Sequence, residues 1–215
     1  MRRMGQRSGR RATIARSGLA IALAFALTQT AAAAPSPQGT IQGFYATLLT
    51  SMKQGRKLGE SGRYALLAPI VQQVFDLPFM TRLAVGPDWT GLTQSQQQQV
   101  TTAFGRYVAA TYAYRFDSYS GQSLQVGGEE PSAGGYIVRT TIVKPTGDPV
   151  TINYLMREDG GAWQIADVYL DGTISQLATQ RSEFHSILQR KGVDGLISAL
   201  NRKVDLLERN ADNSQ

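Results

Sequence analysis

The chain has 215 residues, no cysteine, one histidine and a formal net charge of +6. This composition excludes disulfides and thiolate metal sites, and His185 alone cannot build a zinc site or a histidine-bridged triad. Six of the 22 basic residues and none of the 16 acidic ones precede residue 34, which leaves 16 of each sign in the rest and removes the compositional case for nucleic-acid binding.

The first segment reads as a secretory signal over 1–33. Arg2, Arg3, Arg7, Arg10, Arg11 and Arg16 form its positive region, 19–27 is apolar, and Ala31-Ala32-Ala33 offers small residues for cleavage. The apolar run is shorter than the roughly 20 residues a membrane span needs. After cleavage, a single domain over 34–210 is expected, with a flexible tail over 211–215.

Apolar spacing then predicts helices. The first covers about 40–54 and carries Ile41, Phe44, Tyr45, Leu48 and Leu49 on one side. A basic, glycine-rich turn over 55–62 leads to a second helix at about 64–75, after which Pro78 breaks the ladder. A short helix over 79–85 precedes Gly86-Pro87. Thr93 and Gln96 form a capping box for a long helix that buries Val100, Phe104, Tyr107, Val108, Thr111 and Tyr112 and frays near Phe116.

From Ser123 the period becomes alternating, predicting four antiparallel strands at 123–127, 135–144, 149–157 and 162–170. Pairing around Thr146-Gly147 sets Ile142 opposite Val150, Thr140 opposite Ile152, Val138 opposite Tyr154 and Tyr136 opposite Met156. That face is apolar, while Arg139, Thr141, Asn153 and Arg157 point the other way. In the last strand, Asp159-Gly160-Gly161 permits two registers. The one with Ala166, Val168 and Leu170 inside is preferred, because the alternative buries Asp167 with no evident partner.

Two helices follow. Ile174, Leu177, Phe184, Ile187 and Leu188 mark the first, Gly192 ends it in a left-handed conformation, and Val193, Leu196, Ile197, Leu200, Val204 and Leu207 stripe the second. The whole is an α+β fold: a four-stranded meander with helices on one face, the N- and C-terminal helices enclosing an apolar interior.

Trp163-Gln164, Asp167-Val168, Asp171-Gly172, Arg181, Phe184 and the run from Lys191 through Gly192-Val193-Asp194-Gly195 to Leu196 carry a resemblance. With Asp76-Leu77-Pro78 and the segment 140–147, the chain resembles the MlaC family of periplasmic phospholipid carriers, also known as toluene-tolerance auxiliary proteins, and a hopanoid-associated branch in particular. The resemblance spans nearly all of the chain after the signal. It implies a periplasmic lipid carrier holding a phospholipid or hopanoid-like lipid, with no cofactor, no metal and no catalytic residue. The implied partners are an inner-membrane ABC transporter with its lipid-binding ring protein and an outer-membrane lipoprotein complex.

Read from the residues alone, the inner face is an ordinary packed core. The resemblance turns Phe104, Val108, Tyr112, Val138, Ile142, Val150, Ile152, Tyr154, Val168 and Leu170 into acyl-chain contacts, with Thr173 at the pocket mouth. A rival reading is a secreted small-molecule enzyme on a cone-shaped α+β scaffold, using Asp167 and a tyrosine; a third is a non-transporting scaffold in hopanoid metabolism. His185 lacks a nucleophile or orienting carboxylate and reads as a solvated helix residue. Asp167 and Asp171 read as turn and solvent-face residues rather than paired acids. Arg115, in an aromatic-basic run, is a reserve candidate for headgroup contact, and Arg181, Arg190 and Lys191 sit where a cation suits helix carbonyls or a docking partner.

Overall fold

The structure is a computed structural model and describes residues 36–212; the signal assigned to 1–33 lies outside them. Four helices come first: α1 (Pro37–Lys53), α2 (Gly55–Val74), α3 (Leu77–Val85) and, after a short 3-10 turn at Gly86–Gly91, α4 (Gln94–Arg115). A sheet follows, with β1 (Ser123–Ser132), β2 (Gly135–Val143), β3 (Val150–Asp159), β4 (Ala162–Leu170) and β5 (Ile174–Ser175), and the chain ends in α5 (Gln176–Asp212). The α+β class is as expected; the difference is β5, a two-residue fifth strand that closes the meander in the order β1-β2-β3-β4-β5.

Local chemistry explains most of the boundaries. Ser36 opens α1 by accepting from Gly39 N at 3.0 Å. Asp76 caps α3 by accepting from Phe79 N at 3.1 Å, with Pro78 in the first turn, where its missing N–H costs nothing. The capping box is present at α4: Gln96 N donates to Thr93 Oγ1 at 3.2 Å and Thr93 N to Gln96 Oε1 at 2.9 Å.

The segment 55–62 departs from its reading as a turn, for it is helical apart from Gly59, where φ is 61°. The cause is tertiary. Arg63 is buried, donating from Nε to Ala113 O at 2.9 Å and from Nη1 to Gly55 O at 3.1 Å. A Cβ on Gly55 would stand 1.8 Å from Asp117 O, so glycine there serves a close approach to the end of α4.

The β2–β3 register is the expected one, with Ile142, Thr140, Val138 and Tyr136 opposite Val150, Ile152, Tyr154 and Met156. β1 is longer than expected, because a bulge between Val126 and Glu129 lets pairing resume to Ser132 and shrinks the loop over 127–135 to a tight turn. An ion pair between Arg139 and Glu130 at 2.6 Å spans the resumed part.

β4 keeps Val168 and Leu170 opposite Tyr154 and Ile152, but a second bulge at Leu155/Met156 then sets Ile165 opposite Met156, both fully buried. The slip buries Ala166 and Asp167 together. Asp167 therefore corrects the solvent-face reading: it accepts from Leu177 N at 3.0 Å, Val168 N at 2.7 Å and Ser175 Oγ at 2.5 Å. A buried carboxylate is tolerable there because it satisfies donors at the start of α5.

Arg157, directed away from the inner face, is only partly exposed. It pairs with buried Asp76 and lies 4.5 Å over the Phe79 ring, tying β3 to the α2–α3 corner. That corner also meets the sheet through Asp76 N, which donates to Ile165 O at 2.9 Å. At the far end α5 breaks at Gly192, φ 63°, as the spacing implied. It continues to Asp212 with Ala211 buried, so residues 211 and 212 belong to the helix and not to a tail.

Candidate functional site

The inner face of the sheet has two halves. Toward the β1–β2 and β3–β4 turns it is sealed: Val138, Tyr154, Met156 and Ile165 are fully buried. Phe44 and Tyr45 of α1 pack edge-on against Tyr154, with ring centroids 6.5 and 5.9 Å away. Thr140, polar on this face, is accounted for: its hydroxyl donates to Ile152 O and receives Tyr45 Oη at 2.6 Å.

Toward the other end the helices stand off and leave a cavity of about 450 Å³, within the usual range for ligand pockets. Ile142, Val150, Ile152, Val168 and Leu170 line its sheet wall; Phe104, Tyr107, Val108, Thr111 and Tyr112 line the wall of α4; Met52, Phe75, Met80, Phe116 and Leu177 complete the apolar surface. Polar groups join the same lining from the end of α4 and the segment after it, the residue after β2, the turn after β4 and the first turns of α5: Arg115, Asp117, Ser118, Gln122, Lys144, Asp171, Gln176 and Gln180.

Phe104, Val108, Tyr112, Ile142, Val150, Ile152, Val168 and Leu170 thus come together around one space. Three other expected contacts do not line it. Val138 and Tyr154 share the inner face but lie in the sealed half, where the rings of α1 fill the space over them. Thr173 is exposed in the turn between β4 and β5, because the chain folds back there to pair β5 and turns the residue out.

Sequence reasoning missed Met52, Phe75, Met80 and Leu177, which reach the cavity from four separate segments. For Leu177 the signal was present in the helical stripe. For Met80 no pairing argument could supply the direction.

Asp167 is committed to the start of α5 and does not line the cavity. Burial pushes the phenol of Tyr112 well above its ordinary value, and neighbouring Tyr45 adds to this while Arg115 opposes it. Burial does the same for Tyr154, reinforced by Tyr112 and Tyr45, and for Tyr45, partly offset by the bond to Thr140. These are neutral hydroxyls at ordinary pH.

His185 is exposed on α5, as the sequence suggested. Arg190 donates from Nε to Ser186 O at 3.0 Å, one turn back along its own helix. Among the described residues no group of three or more His, Asp or Glu side chains is placed to hold a metal, and no helix is long and apolar enough to cross a membrane. What the arrangement can do is take a long apolar guest and meet its polar end at a charged rim.

The family model described as MlaC protein matches residues 42–202. Among solved structures, the chain is similar to a phospholipid-binding protein from Ralstonia solanacearum in complex with a phospholipid. The identity is 24%, the TM-score is 0.67, and the match covers 80% of this chain and 98% of that one.

Proposed function

The chain belongs to the MlaC family, and from that premise we propose that it is a periplasmic carrier of phospholipid, exported by the signal over 1–33 and working through the unit that follows. Its partners are an inner-membrane ABC transporter with a lipid-binding ring protein on one side and an outer-membrane lipoprotein complex on the other. A hopanoid-like lipid is the alternative cargo. The similar Ralstonia solanacearum protein, which holds a phospholipid, supports the same reading.

The observation that carries the proposal is the largely apolar cavity of about 450 Å³, whose lining also carries Arg115, Asp117, Lys144 and Asp171. Each methylene kept from water is worth about 0.8 kcal/mol, so a long chain does not escape into solvent unaided. Moving it between bilayer and protein exchanges one apolar surrounding for another, a small difference that docking partners can tilt. Such work needs a container and docking surfaces, not catalytic groups. A cavity of this size suits a long apolar guest.

Organic extraction of gently purified protein, followed by mass spectrometry, tests this. Phospholipid at close to one per chain is the expected result. Protein that emerges free of lipid, and takes up none from vesicles of phosphatidylethanolamine and phosphatidylglycerol, overturns it.

A further inference from the structure

The charged part of the cavity lining has a composition that hydrocarbon storage does not require. Arg115 is the last residue of α4 and Lys144 follows the end of β2; both are exposed at the rim and both line the cavity. Neither forms an ion pair or hydrogen bond with another described residue, whereas Arg139, Arg157 and Lys203 each hold a carboxylate. Arg115 also acts on the Tyr112 hydroxyl within the cavity, so its charge is felt at the apolar wall and not only in solvent. Two cations with no carboxylate partner thus line one cavity from different elements, and a phosphate oxygen can satisfy donors that the protein leaves open.

A third group belongs to the same opening. Gln180 of α5 lines the cavity with its side-chain oxygen buried and unpartnered among the described residues. A carboxamide can turn over to present N–H instead of oxygen, and in that orientation it adds a neutral donor. Asp117 and Asp171 stand on the same lining and offset the two cations, so no broad positive field attracts anions at large. Capture must then depend on contact with a phosphate already anchored by its tail.

We propose that Arg115 and Lys144, with Gln180, form a phosphodiester subsite that holds the headgroup of a lipid whose chain lies in the cavity. This rests on the carrier reading and sharpens it: the protein selects phospholipid over uncharged lipids of identical chains. Each charge-assisted contact contributes on the order of tenfold in affinity. The selection weakens as salt rises, since both cations are exposed.

The test is a competition. Purified protein is equilibrated with mixed micelles holding equal amounts of phosphatidylethanolamine and diacylglycerol with the same acyl chains. Bound lipid is then quantified by mass spectrometry after gel filtration. The unaltered protein should enrich the phospholipid about tenfold or more over diacylglycerol, and R115Q/K144Q should bring that ratio close to one. Both sites are at the surface, and an unchanged melting temperature confirms that the variant is folded. If the double variant keeps the enrichment, or if the unaltered protein binds the two lipids alike, the subsite is overturned and the apolar carrier stands. If neither lipid is bound by either protein, the carrier reading falls and the subsite with it. If inorganic phosphate at millimolar concentration abolishes the enrichment, the site belongs to free phosphate and the headgroup assignment is overturned.

Discussion

The two halves of the inner sheet face are built from the same kinds of residue, yet one is solid and the other hollow. Val138 and Tyr154 differ little in character from Val150 and Ile152, and all four follow the same alternation on paired strands. What differs is the cover. α1 brings Phe44 and Tyr45 down onto Tyr154, and the rings interlock. α4 and the start of α5 face the other half with Val108, Tyr112 and Leu177, which form walls without closing the space between them. Alternation decides which face a side chain takes; the facing element decides whether that side chain meets a neighbour or a void.

The largest expected contrast comes from placing a charge on each side of the hollow wall. Ile152→Asp puts a carboxylate against the acyl path and should abolish lipid retention, whereas Thr151→Asp, exposed on the opposite face of the same strand, should retain lipid as the parent does. Mass spectrometry of extracted lipid reads both. Equal retention by the two variants would mean that the cavity is not where the chain lies. Thr151 is a cleaner control than Asn153, whose side-chain amide donates to Gly172 O at 3.3 Å.

Truncation should show the contrast as stability. Phe44 is fully buried and touches Phe75, Tyr112 and Tyr154, so Phe44→Ala should cost about 3–5 kcal/mol in urea unfolding. Val150 already borders empty space and is only partly buried, and Val150→Ala should cost less than about 1 kcal/mol. Comparable losses at the two sites would show that the hollow half is closed in solution.

This contrast also marks what the sequence could tell. The apolar face, the β2–β3 register and the helix caps follow from rules acting over a few residues, which is why Thr93-Gln96 and the turn at Thr146-Gly147 could be read directly. Tyr154 was placed on the correct face and in the wrong half, since nothing local to β3 reveals that the middle of α1 lies over it. Asp167 was misread for a related reason. Its partners, Leu177 N and Ser175 Oγ, come into reach only because a bulge shifts β4 and a two-residue strand brings α5 back. Arg63 and Gly55 show the same limit in a helix, where a glycine-rich, charged stretch is ordered by contacts with the far end of α4.

Alkaline titration should separate the buried phenols from the exposed ones next. Tyr45, Tyr112 and Tyr154 have pKa values raised by burial, so folding favours their neutral form. That contribution is fully present below the unfolded tyrosine value of 10.0 and is lost as pH rises through the folded values. Stability should therefore fall above about pH 10, and these three phenols should ionise only as the protein unfolds. Absorbance near 295 nm followed together with circular dichroism checks this. If all nine tyrosines ionised in one step, with the fold intact, the sealed half would have to be open to water.

A change at the joint of α5 tests whether the cover over the hollow half can move independently. Gly192 interrupts α5 with φ 63°, and a Cβ there would meet no atom within 4 Å. Gly192→Ala consequently adds backbone strain without a clash and should destabilise by about 1 kcal/mol. The side chains beyond the break, Val193, Leu196 and Leu200, are buried, while the cavity is lined from α5 only by its first turns, at Gln176, Leu177 and Gln180. A substitution at the break therefore changes the joint and leaves the lining chemically intact. If the two parts of α5 behave as one rigid cover, the variant should load lipid at the parental rate and lose only stability. Slowed loading with an unchanged final lipid content would instead locate the opening motion at this joint, and stopped-flow uptake of a fluorescent phospholipid distinguishes the two.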